Sequence, residues 1–114
     1  MIGIEQVGAG FTNQWKIAFM NWDLHISKLQ AGESVSFRPK GNSMSGKIES
    51  GQLVTVEPIV EALPGDIVLC KVKGNIYVHL VKAVGDKGYL IANNKGYENG
   101  WTKTIYGKVT KVED

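Results

Sequence analysis

The chain is 114 residues long, enough for one hydrophobic core and too short for two. A formal net charge of +2, with lysines scattered rather than blocked, leaves no electrostatic footprint for nucleic acid. The single cysteine, Cys70, excludes an internal disulfide, and no apolar run approaches the ~20 residues that span a bilayer.

The opening "MIGIEQVGAG" lacks the basic start of a secretory signal, so the expectation is one soluble cytoplasmic domain, residues 1–114, needing no cofactor. After an N-terminal segment (1–11), a helix is predicted over 12–31. Trp15, Ala18, Phe19, Trp22, Ile26 and Leu29 recur in three- and four-residue steps and share one face. Thr12 or Asn13 can cap its start, and Gly32 suits its end. The tryptophans on that stripe are read as core, and His25 falls off it.

From residue 33 to 114 the period changes. The runs "SVSFRP", "QLVTVEPI", "DIVLCKV", "NIYVHLVKAV", "GYLIAN" and "TIYGKVTKV" are β-branched or aromatic, and "PGD", "KGN" and "GDKG" punctuate them as turns. Closely spaced strands with short connections predict a mainly β body, a coiled antiparallel sheet or partial barrel behind one N-terminal helix. Cys70, inside "DIVLCKV", reads as a buried small hydrophobe.

Residues 41–48, "GNSMSGKI", admit two parses. As a phosphate-binding loop the stretch lacks the Ser or Thr after lysine that would hold magnesium, because Ile48 follows Lys47. Strand-like alternation in "GQLVTVEP" also replaces the helix whose N-terminus would face a phosphate. The alternative parse makes Ser43 a nucleophile between a strand and a turn.

"GNSM", "GQLVTVEP", "PGDIVLCKV", "YVHLV", "LIANN" and "IYGKV" follow one another in an order that resembles the serine peptidase superfamily of LexA-type repressors, UmuD-type proteins and signal peptidases. The resemblance covers about residues 33 to 112. It implies Ser43 as nucleophile and, in place of that superfamily's usual lysine, His79 as general base. Signal peptidases of the endoplasmic-reticulum and archaeal type carry histidine there in a V-H-R context, to which "YVHLV" is similar. The resemblance further implies an oxyanion hole from the backbone N–H groups of Asn42 and Ser43, a peptide or protein substrate, and a homodimer. Stand-alone members suggest a phage or mobile-element setting.

Strand alternation agrees with the choice of His79. Tyr77, His79, Val81 and Ala83 share one face of a strand through 76–84, and Lys82 lies on the other unless a bulge intervenes. A neutral imidazole, with an unperturbed pKa near ~6.5, accepts a proton at neutral pH without the extreme desolvation a lysine base needs. The group orienting His79 is open. Ala92 stands where signal peptidases have an aspartate, and Glu98 and Asp66 are candidates without a matching motif. Two further departures are Gly46 in place of a proline and Gln52 in place of an aspartate.

The functional expectation is peptide hydrolysis by a Ser43–His79 dyad, in trans or by self-cleavage. Ala9–Gly10 matches the bond type that LexA-like proteins cleave in themselves, although the intervening segment reads as helix. The alternative is a catalytically inactive module of the same fold that acts through dimerisation or partner binding.

Overall fold

The computed structural model describes residues 22–59 and 61–114. Thr12, Asn13, Trp15, Ala18, Phe19 and the Ala9–Gly10 bond lie outside the described residues. The described helix, α1, runs Trp22–Gln30. It ends on Gly32, whose φ of 88° is open to glycine at little cost. Glu33 N–H donates to Lys28 O and Gly32 N–H to Leu29 O, a Schellman closure of the last turn.

Seven strands follow: β1 Val35–Phe37, β2 Leu53–Glu57, β3 Ile67–Val72, β4 Asn75–Gly85, β5 Gly88–Ala92, β6 Glu98–Thr102 and β7 Ile105–Glu113. All neighbours are antiparallel, and the sheet order β1-β2-β7-β3-β4-β5-β6 leaves it unclosed. The predicted mainly β body behind one helix is therefore what the described residues form. Six runs were read as strands. The additional one, β6, has the sequence "ENGWT", whose Asn-Gly pair signals a turn.

Alternation explains how one sheet serves two cores. On β3, Ile67 and Leu69 point to a cluster containing Leu29, Val35, Phe37, Met44, Ile48, Val54 and Val56. Val68, Cys70 and Val72 point to the opposite face, where Ala62, Val81 and Ile91 pack. β4 divides likewise, with Ile76, Val78 and Leu80 against the first core and Tyr77 and Val81 against the second.

The β3–β4 hairpin closes through Lys73 and Gly74, both with positive φ (51° and 86°), as a two-residue hairpin turn favours. That turn fixes the register in which His79 faces Val68. β4 then changes partners. Only from Leu80 onward does it pair with β5, so one edge of Asn75–His79 has no ladder partner among the described residues. A bulge at Lys82 shifts the β4–β5 register between Val81 and Ala83.

The helix is seated by Leu29, 3% exposed, and by Trp22, whose ring meets Phe37 edge-on at 5.2 Å. Gly107 on β7 makes room for this contact. A Cβ there would stand 2.6 Å from Val56 Cγ1, 2.7 Å from Glu57 O and 3.1 Å from Leu29 Cδ2. Gly107→Ala is therefore expected to overpack the helix–sheet contact and to cost about 1–3 kcal/mol, read as a lower urea midpoint.

Candidate active site

The loop that carries Ser43 runs from Arg38 to Gln52, between β1 and β2. Two apolar side chains hold it, because Met44 and Ile48 are buried in the first core at 5% and 3% exposure. Met44 O accepts from the N–H groups of both Lys47 and Ile48, and Asn42 O accepts from Ser45 N–H. These tight turns leave Ser43 half-buried beside β4.

Ser43 Oγ and His79 Nε2 are 2.9 Å apart, although 36 residues separate them in sequence. His79 is the buried polar side chain of the core, at 7% exposure. On the far side of the ring, Nδ1 lies 2.7 Å from Asn99 Oδ1. Tyr77, two residues earlier on the same strand, stacks on the imidazole with centroids 4.8 Å apart. Burial pulls the His79 pKa below 6.5, and the hydrogen bond that Nδ1–H donates to Asn99 Oδ1 partly restores it. The resting imidazole is thus neutral at physiological pH.

Lys82 is elsewhere. The bulge that could have turned it toward Ser43 is present, but Lys82 pairs with Glu98 on the surface, both side chains about half exposed. Neither carboxylate considered as an orienting group reaches His79. Glu98 is occupied by Lys82, and Asp66 caps its own turn through Leu63 N–H and pairs with Lys108 at 3.1 Å. The backbone N–H and Lys108 hold Asp66 below its ordinary pKa.

Asn99 went unread in the sequence because it belongs to the unexpected strand. Ile91 pairs with Gly100 and Ala92 with Glu98, which makes Asn99 the extra residue of a bulge in β6. Gly100 takes φ 130° beside it.

Asn94 was visible only as part of "LIANN". Its backbone N–H donates to Ser43 O at 2.9 Å, and its Nδ2 donates to Ser45 O at 2.7 Å, clamping the loop on both sides of Met44. Gly46 completes this clamp. Its φ of 98° is closed to proline, and a Cβ there would stand 3.0 Å from Asn94 Nδ2. Gln52 serves the same loop, accepting from Glu49 N–H and donating to Asp114 Oδ1.

A cleft of 640 Å³ opens beside the pair, bounded by the loop, by residues 76–79 of β4 and by Trp22. The N–H groups of Asn42 and Ser43 find no acceptor among the described residues. Cys70 contributes nothing to this chemistry. Burial pushes its thiol up to about 12, and Sγ contacts Tyr77 O on the core side.

The folded-state pKa of His79 lies below its unfolded value, so the unfolded chain takes up the proton first as pH falls. Its contribution to stability is fully present above about pH 6.5 and is lost as pH drops below that. His25, also lowered by burial and by Lys28, acts in the same sense. The urea midpoint should fall between roughly pH 7 and pH 5, and His79→Gln should flatten that slope relative to wild type. Asn94→Ala, by freeing Ser45 O and loosening the clamp, should cost about 0.5–1.5 kcal/mol in the same assay.

No curated protein sequence matches the chain. No helix among the described residues is long and apolar enough to cross a membrane. The family described as Peptidase S24-like matches residues 2–110, a span that takes in the Ser43 loop, β4 and β6. The chain belongs to the Peptidase S24-like family, within the superfamily of LexA- and UmuD-type serine peptidases.

Proposed function

We propose that the protein is a serine peptidase in which Ser43 is the nucleophile and His79 the general base. The observation that carries this reading is the 2.9 Å contact between Ser43 Oγ and a His79 Nε2 sheltered from solvent. A neutral imidazole whose Nδ1 bears its proton has a lone pair on Nε2, directed at the serine hydroxyl.

The reaction follows from that arrangement. Ser43 Oγ attacks the carbonyl carbon of the scissile peptide while His79 Nε2 takes the hydroxyl proton. The oxyanion is stabilised by the N–H groups of Asn42 and Ser43, which have no acceptor among the described residues. Collapse breaks the C–N bond, and the imidazolium returns its proton to the departing amine. Water then attacks the acyl-enzyme, His79 takes a proton from it, and Ser43 leaves with that proton restored. The substrate runs as an extended strand along the unpaired edge of Asn75–His79, where backbone hydrogen bonds are available.

An alkyl fluorophosphonate tests the pair without knowledge of the natural substrate. Ser43 Oγ forms the P–O bond, fluoride leaves, and His79 accepts the proton. Intact-mass and peptide-mapping measurements should locate the adduct on Ser43. Ser43→Ala should not react there, and His79→Ala should react at least ~100-fold more slowly. Lys82→Ala should retain the wild-type rate. Labelling that persists in His79→Ala but disappears in Lys82→Ala would reverse the assignment of the base.

A further inference from the structure

The geometry points to Asn99 as the positioning residue of this site, the third member of a Ser43–His79–Asn99 relay in which a neutral amide orients the base. The inference rests on the peptidase reading above and adds a residue that neither the sequence motifs nor the family assignment supplies.

Three observations support it. Asn99 Oδ1 and His79 Nδ1 are 2.7 Å apart, a short contact for a neutral pair. An amide oxygen can only accept, so Nδ1 must carry the proton and Nε2 is left as the acceptor facing Ser43. In the opposite tautomer Nε2–H would point at the serine hydroxyl and could not take its proton. The contact is also built by an irregularity. Asn99 is the bulged residue of β6, set between the Ile91–Gly100 and Ala92–Glu98 pairs. A regular strand would not insert a residue there, and bulges beside active sites re-aim side chains in this manner.

The remaining surroundings of His79 leave the role to Asn99. Ser43 faces it from the nucleophile loop, Tyr77 stacks on it from β4, and Val68 lies opposite on β3. The neighbouring carboxylate on β6, Glu98, is paired with Lys82 at the surface. Among the described residues, burial and Asn99 are what shift the imidazole's protonation, with no charged group beside them.

An uncharged partner has a specific consequence. A carboxylate at this position would stabilise the imidazolium by charge and hold His79 protonated to higher pH. The amide orients the ring through a dipole alone, so the base is released for work at lower pH. The acid limb of the rate–pH profile is therefore set by the identity of residue 99.

The test compares wild type, Asn99→Ala and the isosteric Asn99→Asp in the full chain. The rate of Ser43 phosphonylation by the fluorophosphonate is followed from about pH 5 to 9, alongside 15N-histidine NMR titration. The chain has two histidines, and His25→Gln identifies the His79 signals. Asn99→Ala should slow labelling on the order of 10–100-fold at neutral pH, part of what general-base catalysis supplies. It should also move the acid limb to lower pH and lose the Nδ1–H tautomer preference in the 15N shifts. Asn99→Asp should move the limb to higher pH by about 1–3 pH units.

Opposite displacements in the two variants support the positioning role, since a merely structural contribution would lower stability without moving the limb in two directions. Coincident limbs and unchanged His79 titrations in all three proteins would overturn it. Should wild-type Ser43 fail to label at all, the peptidase reading falls. The NMR titrations then still decide whether Asn99 governs the protonation of His79.

Discussion

An imidazole largely enclosed by a protein loses most of its contact with water, and each ring nitrogen left unpaired costs free energy on the order of 1–3 kcal/mol. His79, at 7% exposure, imposes that requirement on the whole site. The loop between β1 and β2 answers it at Nε2 with Ser43, and β6 answers it at Nδ1 with Asn99. Neither partner is near His79 in sequence. The sheet order, with β4 in the interior and β5 separating it from β6, must therefore be correct before both nitrogens are satisfied. The sheet topology and the pairing of both ring nitrogens are thus one structural requirement.

The Ser43 loop shows how departures from a family pattern can compensate one another. Gly46, where a proline is usual in the resembling proteins, takes a left-handed conformation that proline cannot adopt. The space left by its missing side chain is filled from outside by the Asn94 amide, which binds the loop carbonyl at Ser45. Gln52, in place of an aspartate, accepts from Glu49 N–H and tethers the loop to Asp114. Ala92, where signal peptidases carry an acid, is only 3% exposed and packs in the sheet opposite Leu80. The contact with His79 comes from one strand further on.

How much of this could be read from the residues depends on whether their meaning is local. Ser43 and His79 were legible through the order of short motifs that resembles the superfamily, and strand alternation agreed on His79. Alternation also separated His79 from Lys82 before the bulge was known, and the bulge did not bring Lys82 inward. β6 was illegible for a physical reason. "ENGWT" contains the residue pair that marks turns, and its Gly100 has φ 130°, so local propensity argues against the strand that tertiary pairing imposes. Asn99 acquires its meaning only from that pairing. Glu98 and Asp66 attracted notice as charged candidates, yet both are spent on surface and turn contacts.

β4 is two strands in one. Its first half takes register from β3 through the Lys73–Gly74 turn, and its second half takes register from β5, with Leu80 the handover between them. The bulge at Lys82 lies just past that handover, on the side away from His79. A residue gained or lost beyond it can be absorbed by the irregularity, without rotating the imidazole to the other face of the sheet. The distal hairpin of β4 and β5 can thereby change length without turning His79 over. The first half of β4 has no such slack, since one residue inserted there would exchange the faces of Tyr77 and His79 with those of Ile76 and Val78.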